Sequence, residues 1–470
     1  MLMAGCAVGP DYRRPEAPTV ERYTTQPLPA QTASAGVKGG EAQRFVNGMD
    51  IPGQWWSLFH SKQLDDLIAQ GLKANPDMAS AQAALRNAWE NVYAQQGAYF
   101  PSVDANYNPT RQKISDSLTS PLSNNSNLFS LHTAQVSVSY APDVFGGNRR
   151  QVESLTAQAD WQRFQLEATY LTLTSNIVAT AIQEAGLREQ LTATRRIIEA
   201  QMKTLELMQR QLALGQIAVA DVTAQETALA QSQAMLPPLE KQLEQQRDLL
   251  ARLVGRFPSE TLVEKFELSA LQLPQDLPES LPSKLAEQRP DIRAAEEQLH
   301  AASAAIGVAV ANRLPTITLS ANLGYTATSL GQLFSPGNGF WNLAGNLTQP
   351  IFEGGTLLHR QRAAEAAYDQ AIAQYRGTVL SAFQNVADTL HAIRCDADSL
   401  VTATTAEKSA TKNYDIVKRQ LELGDVNSIA LLNAEQAYLQ TRIAVIQALT
   451  NRYADTAALF QALGGGWWKR

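Results

Sequence analysis

The strongest constraint in this sequence of 470 residues is an internal repeat. Prolines, glycines and acidic residues recur in the same order in both halves, at spacings of 214, 208 and 209 residues. The matched pairs are Pro76 with Pro290, Asp77 with Asp291, Pro101 with Pro315, Pro142 with Pro350, Gly146 with Gly354, Gly147 with Gly355, Gly215 with Gly424, and Glu226 with Glu435. Ordered matches of this kind indicate a duplicated supersecondary unit. We therefore expect two copies of one arrangement of elements.

Each copy contains a very long helical stretch. No proline occurs between Pro142 and Pro237 or after Pro350, and proline inside a helix removes a hydrogen bond and clashes with the preceding turn. As one helix, residues 147–214 would measure about 100 Å at 1.5 Å per residue. Apolar residues near the end of this stretch recur at spacings of three and four, which predicts a coiled-coil seam. They are Ile198, Met202, Leu205, Met208 and Leu212.

Both long helices are predicted to end at the same turn of leucine and glycine. Glycine suits the C-terminal cap of a helix because it enters the left-handed backbone region without a Cβ penalty. A returning helical pattern follows each turn, so each pair is expected to form an antiparallel coiled coil. The turn residues are Leu212, Leu214 and Gly215 in the first copy, and Leu421, Leu423 and Gly424 in the second.

Each copy also contains two segments in which apolar and small polar residues alternate, as in residues 316–325. Segments of about ten residues with this period have the length that a tilted strand needs to cross a bilayer. Four such strands cannot close a membrane barrel, since about eight is the smallest number observed. An open edge in lipid would leave backbone groups without partners. Membrane-spanning strands would therefore require neighbouring copies, and a usable pore would require at least three.

Composition and motifs exclude several classes of protein. The net charge of -6 and the lack of long Lys or Arg runs argue against a nucleic-acid partner. The sequence contains no run of about 18 to 20 apolar residues, so it predicts no membrane-spanning helix. The two cysteines, Cys6 and Cys395, and the five histidines have no metal-ligand spacing. Phosphate-loop and common hydrolase motifs are absent from the sequence. We expect no enzyme, no cofactor and no metal site.

The first residues contain a candidate lipidation site. Small residues precede Cys6, as at the cleavage site of a bacterial lipoprotein, where the cysteine becomes lipidated. The charged and apolar parts of a signal peptide are missing before it. A start site assigned too late, or a trimmed sequence, would explain their absence. A chance cysteine near a terminus is the alternative.

With these features in place, the sequence resembles the TolC-type outer-membrane factors, in particular their lipoprotein branch (NodT-like or OprM-like) that serves RND efflux pumps. The match runs through nearly the whole chain. The residues that carry it are Cys6, Gly9–Tyr12 and Pro15; Trp55, Trp56, Phe59, Leu64 and Leu67; Asn75–Asp77; Arg289–Glu296; Gln349–Phe352, Gly354 and Gly355; and the two leucine-glycine turns.

The resemblance implies a fold of mixed α and β structure. It implies a homotrimer in which a transmembrane β-barrel, with four strands per chain, continues into a long antiparallel coiled-coil α-barrel with a small equatorial region. It also implies an outer-membrane location with the tunnel in the periplasm, and docking to a periplasmic adaptor (membrane fusion) protein and an inner-membrane RND transporter. The function implied is passive export of drugs or other small toxic compounds.

The patterns and the resemblance together give expected boundaries. The expected segments are 1–6, residual lipoprotein signal; 7–54, extended N-terminal arm; 55–255, first repeat; 256–288, proline-rich equatorial connector; 289–464, second repeat; and 465–470, C-terminal tail. The expected elements are first helices 77–100 and 291–314; strands 102–108, 133–141, 316–325 and 340–349; long helices 147–214 and 355–423; and return helices 222–254 and 428–463.

The resemblance further implies a gate at the periplasmic tip, where the tunnel narrows and the adaptor binds. The positions that match its constricting rings are Ile429, Ala430 and Asn433. Family members often carry aspartate at the polar positions, so the alanine and asparagine here weaken any cation-binding ring. A ring of Ile429 and Asn433 would still restrict passage by size and dewetting.

Asp221 matches an acidic residue that ties the closed tip together in the resembling proteins. Its usual tyrosine and arginine partners fall on Leu421 and Val426 here, so that latch cannot form. Two interpretations stay open: Asp221 belongs to the gate through another charged partner, or it caps the returning helix with its side chain.

Two functions remain in competition. The first is the export duct, opened by its adaptor and driven by the pump. The second is a non-conducting structural coiled-coil lipoprotein that spaces the layers of the envelope. The alternating strands favour the duct, because a spacer needs no membrane strands. Single-channel conductance separates the two.

Overall fold

A computed structural model gives the fold of the chain. It describes residues 7–16, 18–20, 22–118, 120, 122, 125–260 and 264–469, with the side chain of Ser283 left out. The candidate lipidation residue Cys6 lies outside the described residues.

Long helices and a small amount of sheet make up the described part of the chain. The elements of the first half are β1 Arg44–Asn47, α1 Lys62–Ala74, α2 Pro76–Gln96, β2 Ser102–Lys113, β3 Leu128–Tyr140, α3 Gly147–Ala213, α4 Val219–Ala234 and α5 Leu236–Leu253. Those of the second half are β4 Asp276–Glu279, α6 Pro282–Gln288, α7 Pro290–Ala311, β5 Thr316–Ala327, β6 Gly339–Thr348, α8 Thr356–Leu423 and α9 Ser428–Ala462.

The chain forms two compact units, and each unit draws on both sequence repeats. One unit contains Met1–Pro15, Ala84–Gln162 and Ala295–Tyr375. The other contains Glu16–Ala83, Arg163–Ala294 and Arg376–Arg470. The boundaries between compact units therefore do not coincide with the boundaries between the repeats.

The strands of the first unit form one antiparallel sheet in the order β2-β3-β5-β6. Ser102 pairs with Ser139 at one end of the first ladder, Val136 pairs with Leu323 in the middle ladder, and Thr316 pairs with Thr348 in the last. Each of the two central strands is paired on both sides, whereas among the described residues β2 and β6 are paired on one side only.

The residues just after the candidate lipidation site pack within the same unit. The Arg150 side chain donates through Nε to the Val8 carbonyl oxygen at 3.0 Å and through Nη2 to the Asp11 carboxylate at 2.7 Å. The Tyr12 ring stacks on the His300 ring with centroids 4.2 Å apart. Residues 8–12 are therefore held against α3 and α7 by polar and aromatic contacts.

Helix starts in both repeats use side chains that satisfy free backbone N–H groups. The Asn75 Oδ1 atom accepts the Asp77 N–H at 2.7 Å at the start of α2. At the corresponding start of α7, Asp291 Oδ1 accepts the Ile292 N–H at 2.9 Å. The proline that precedes each acidic residue fits the first turn, where its missing N–H loses no helical bond.

The second unit has a core of aromatic side chains. Trp55 and Phe59 are fully buried, and Trp55 stacks on Phe460 with centroids 5.4 Å apart. Around them the arm is fixed by β1, which pairs in parallel with β4 from Arg44 opposite Asp276 to Asn47 opposite Glu279. The fully buried Arg452 side chain donates to the Glu41 carbonyl oxygen at 2.6 Å, which holds the arm against α9.

The first return segment differs from the single helix expected over residues 222–254. It consists of α4 and α5, which meet at Met235. Pro237 and Pro238 lie in the first turn of α5, where proline is tolerated. In the interior of one continuous helix, each would remove a hydrogen bond and clash with the preceding turn.

Other segments also differ from the expected elements. The proline-rich connector 256–288 contains regular structure: β4, which pairs with β1 of the N-terminal arm, and the short helix α6. The first helices end earlier than expected, at Gln96 and Ala311. Helix α1 was not expected, although Ser61 caps it by accepting the Leu64 N–H at 3.4 Å. None of the helices in the described ranges combines enough length with enough apolar character to cross a membrane.

Candidate functional site: the helix tips

The end of α3 has the backbone geometry that the sequence predicts for a glycine cap. Gly215 lies in the left-handed region with φ of +73°. Its N–H donates to the Leu212 carbonyl at 2.9 Å, and the Gln216 N–H donates to the Gln211 carbonyl at 2.9 Å. These two bonds form a Schellman motif, which satisfies carbonyl groups that the helix leaves without partners.

The end of α8 repeats the same geometry. Gly424 has φ of +82°. The Gly424 N–H donates to Leu421 at 3.1 Å, and the Asp425 N–H donates to Gln420 at 2.9 Å. A Cβ at Gly215 or Gly424 would meet no atom within 4 Å in the described part of the chain beyond the adjoining residues, so backbone conformation favours glycine at both positions.

The leucines beside these glycines are unusually exposed. Leu214 is 73% exposed and Leu423 is 76% exposed, whereas Leu212 and Leu421 are partly buried. Each turn therefore presents one apolar side chain to solvent while the other packs inward. Exposed apolar groups that cluster at one place are typical of a surface that binds a partner.

The two returning helices begin with different caps. At the start of α4, the Asp221 carboxylate accepts the Ala218 N–H at 3.2 Å. At the start of α9, the Asn427 Oδ1 atom accepts the Ala430 N–H at 3.1 Å. Asp221 is thus a helix-capping residue from the third position of α4, and its negative charge also suits the helix N-terminus. No ion pair of Asp221 occurs among the residues that the structure describes.

The expected gate positions lie on one exposed face of α9. Ile429 is 47% exposed, Asn433 is exposed, and the spacing of four residues puts both side chains on the same side of the helix. Ala430 is partly buried beside the capping bond. The structure thus brings Ile429 and Asn433 together, one turn apart, and directs them away from the packed face of α9.

The opposite face of α9 contains Glu435, which the sequence identifies only as the repeat match of Glu226. Leu431, Ala434 and Leu439 are buried on this face, and Glu435 among them is only 1% exposed. A carboxylate on the apolar face of a helix is rarely fully buried without a partner. The available sequence signal was the position of Glu435 within this apolar stripe.

Glu435 belongs to a buried polar cluster, which we define as Gln201 of α3, Gln225 of α4 and Glu435 of α9. Gln201 is 0% exposed and Gln225 is buried. The Gln225 Nε2 group donates to the Gln201 carbonyl oxygen at 3.4 Å. Among the described residues, neither Glu435 carboxylate oxygen and neither polar side-chain atom of Gln201 has a partner with hydrogen-bond geometry.

Burial raises the pKa of the Glu435 carboxyl from 4.5 to about 7. The Gln201 amide and the Lys418 ammonium oppose this shift, because both favour the charged carboxylate. Removal of the carboxylate from water is therefore the dominant effect. Near neutral pH this carboxyl changes between neutral and charged forms.

Charged groups on the outer surface of the tip pair locally. Arg210, near the end of α3, forms an ion pair with Glu206 one turn earlier. Within the described part of the chain, no group of three His, Cys, Asp or Glu side chains is arranged to hold a metal ion.

Comparisons with known proteins match the whole chain. A sequence model described as outer membrane efflux protein matches residues 67–256 and 281–465. The toluene efflux pump outer membrane protein TtgC of Pseudomonas putida is 28% identical over 474 aligned residues, which cover 100% of this chain and 94% of that protein. The pyoverdine export outer membrane protein OpmQ of Pseudomonas aeruginosa is 30% identical over 422 residues, covering 88% of this chain and 87% of that protein.

A solved structure gives the same result at the level of the fold. The outer-membrane channel OprN superposes with a TM-score of 0.86 at 27% identity, covering 98% of this chain and 100% of that chain.

Proposed function

Because this chain belongs to the outer membrane efflux protein family, we propose that it works as a homotrimer whose strands close one transmembrane β-barrel. The chain is the outer-membrane channel component of an efflux pump. Three copies of the four-stranded sheet would supply twelve strands. In this arrangement β6 of one copy pairs with β2 of the next.

The observation that carries the proposal is the pair of open sheet edges at β2 and β6. Unpaired backbone groups in hydrocarbon cost several kcal/mol each, so a four-stranded sheet in lipid requires further strands. The strands also carry many exposed apolar side chains, a pattern that suits contact with lipid. They include Val103, Tyr107, Val136, Leu319, Leu323, Trp341, Leu343 and Leu347.

The helices would continue this barrel as a tunnel in the periplasm. In the proposed trimer, α3 and α8 pair with the return helices α4, α5 and α9 to form an antiparallel coiled-coil α-barrel. Ile429 and Asn433 would face the tunnel axis and form its narrowest rings. Their position on one exposed face of α9 supports this assignment. Asp221 would act next to this gate by fixing the start of α4.

The turns at the helix tips would form the docking surface for a periplasmic adaptor protein. Exposure of Leu214 and Leu423 beside rigid glycine caps supports this role. The docking residues of the proposal are Leu212, Leu214, Gly215, Leu421, Leu423 and Gly424. An inner-membrane RND transporter would bind the same assembly and supply the energy, while this chain provides a passive path.

We propose that the cargo consists of drugs or other small toxic compounds. The names of the two relatives refer to toluene efflux and to pyoverdine export. The two named cargoes differ, which supports a passive duct in which the partner proteins select the cargo. Lipidation at Cys6 would add a second attachment to the outer membrane.

Single-channel recording from the purified protein in planar bilayers tests this proposal. We expect trimers in detergent and discrete conductance steps after reconstitution. Asp221→Ala and Asn433→Ala are each expected to raise the conductance, because each loosens or widens the proposed gate. Unchanged conductance for both variants would remove these residues from the gate. A trimeric protein that never conducts would favour the non-conducting envelope spacer instead.

A further inference from the structure

The buried polar cluster lies at the packed side of the helix that carries the proposed gate. Glu435 follows Asn433 by two residues, so the exposed gate face and the buried face belong to the same rigid turn of α9. Helix α4 contacts α9 in this region, and Gln201 brings α3 to the same cluster. A change in the packing of Glu435 therefore changes the position of Ile429 and Asn433.

The cluster is poorly satisfied for a fully buried set of polar groups. Buried polar side chains in native proteins are nearly always hydrogen-bonded, and exceptions call for an explanation. The Gln201 amide lies near enough to the Glu435 carboxyl to lower its pKa, but within the described residues no contact of either side chain has good hydrogen-bond geometry. Apolar side chains of similar size would pack here without the free-energy cost of burying polar groups that lack hydrogen bonds. A polar cluster of this kind is suited to a packing arrangement that must open.

We propose that Glu435 is a gating residue: its neutral carboxyl keeps the tip of α9 packed against α3 and α4, and loss of its proton releases the tip. The proposal rests on the proposed function only in taking α9 to line the gate. In the packed state the carboxyl keeps its proton. When α9 moves away, the carboxyl meets water, passes the proton to solvent and is stabilised there as a carboxylate.

Each helix around Glu435 presents a defined group to it. Helix α3 presents the uncharged amide of Gln201. The Gln225 amide of α4 is occupied by the Gln201 backbone carbonyl oxygen. From α8 the exposed Lys418 ammonium favours the carboxylate, and the half-buried Tyr414 hydroxyl lies within the field of Glu435. Tyr414 also stacks on Tyr438 of α9. No basic group of the described residues forms an ion pair with Glu435, so its neutral form is the one that fits the packed tip.

The sign of the pH effect follows from this geometry. The packed state holds the proton more tightly than the open state, with a carboxyl pKa of about 7 against 4.5. Opening therefore releases a proton and becomes more favourable as the pH rises between these values. The shift per protomer is on the order of a hundredfold in the ratio of open to packed states, since each pKa unit corresponds to a factor of ten.

Two readouts on the full-length trimer test the proposal. The first is the open probability of single channels from pH 5 to pH 8. The second is the hydrogen-exchange protection of the α9 amides around Glu435 in detergent, over the same range. In the unmodified protein we expect open probability to rise and protection to fall with pH. In Glu435→Gln, which keeps the size and neutrality of the protonated side chain, both should stay at their low-pH values.

Matched variants separate titration of Glu435 from general loosening. Glu226→Gln changes the corresponding, exposed residue of the first repeat and should leave both pH profiles unchanged. Lys418→Gln removes a surface charge that favours the carboxylate, so the midpoint of both profiles should move to higher pH. A structural role alone would not move that midpoint.

The outcomes discriminate between the two proposals. Glu435→Gln channels that keep the normal pH dependence, or protection that is independent of pH in the unmodified protein, would overturn the role of Glu435. If the reconstituted protein carries no current, the proposed duct fails, and the exchange profiles still decide whether Glu435 controls the packing of α9.

Discussion

The two helix tips have the same backbone ending and different side-chain chemistry. Both long helices stop at a Schellman motif with glycine in the left-handed region. Beyond the turn they diverge: α4 starts with a cap from Asp221, whereas α9 starts with a cap from Asn427. The matched glutamates diverge most, since Glu226 is exposed and Glu435 is 1% exposed.

The features that a duplicated unit retains are those that depend on local structure. The backbone turn depends on one glycine and its local hydrogen bonds, so it can persist whatever packs around it. Burial of a side chain depends on which helices come to lie beside it. The first tip therefore has a solvated glutamate, whereas the glutamate of the second tip is buried, so its charge state affects packing.

The largest expected effect comes from placing a fixed positive charge at the two matched positions. Glu435→Lys should destabilise the packing of the α9 tip by about 3 to 5 kcal/mol, because a buried ammonium would lack an ionic partner. Glu226→Lys should change the stability of the first hairpin (α3 with α4) by less than about 0.5 kcal/mol, as is usual at the surface; the second hairpin is α8 with α9. Hydrogen-exchange protection of α4 and α9 measures both. Equal losses in the two hairpins would contradict the difference in burial.

The next largest effect is the pH dependence of the second hairpin. The pKa of Glu435 is raised by burial from 4.5 to about 7. The stabilisation associated with the neutral carboxyl is fully present below the ordinary pKa of 4.5 and is lost as the pH rises through about 7. The difference amounts to about 3 kcal/mol at 1.36 kcal/mol per pKa unit.

Proteolysis of the tips under native conditions checks this prediction. The α9 segment should be cleaved faster at pH 8 than at pH 5, after correction for the activity of the protease. Cleavage at α4 serves as the internal control and should not change with pH. A parallel change in both segments would point to general loosening of the protein.

Substitution of the two glycine caps should lower stability by similar amounts, which are smaller than the effects above. Gly215→Ala and Gly424→Ala each force a Cβ into the left-handed region, which costs about 1 to 2 kcal/mol. Apart from the adjoining residues of the turn, no atom of the described residues lies within 4 Å of either added Cβ, so packing should not separate the two variants. Local exchange protection at the ends of α3 and α8 measures the effect. A large inequality between them would mean that partner contacts in the assembly differ at the two tips.

The smallest effect should distinguish the two caps. Asn427→Ala removes the N-cap side chain of α9 and should cost about 1 kcal/mol. Asp221→Ala removes a carboxylate from the first turn of α4, which is worth about 0.3 to 1 kcal/mol. Thermal unfolding of the paired variants, with Asn427→Asp as the conservative control, measures the difference. A larger loss of stability in Asp221→Ala than in Asn427→Ala would indicate that Asp221 makes a further contact at the gate.

Much of the secondary structure could be predicted because its causes are local. The alternation over residues 316–325 lies within a strand that extends from Thr316 to Ala327. The two leucine-glycine turns lie where the long helices end, since a left-handed cap needs only one glycine. The mixture of helix and sheet and the efflux family were likewise predicted correctly, and the comparisons confirm both.

The remaining features depend on contacts between distant segments. Helix α4 ends at Ala234 because Pro237 and Pro238 fit the first turn of a new helix. Hydrophobic periodicity does not show whether a proline breaks a helix or only kinks it. The strand β1 exists because β4 lies beside it. The apolar stripe around Glu435 favours its burial, but the repeat does not, because the matching Glu226 is exposed. Which helices pack beside each glutamate depends on the fold as a whole.

The hydrogen bonds from Arg452 to the N-terminal arm affect the order in which the molecule folds. Its guanidinium binds the Thr32 hydroxyl across 420 residues of sequence and the Glu41 carbonyl across 411. Contacts of such sequence separation form late, because a long loop must close first. These bonds to the arm therefore form only after nearly the whole chain has been made, and a product truncated during biosynthesis before Arg452 would keep the β1–β4 pairing but lack them.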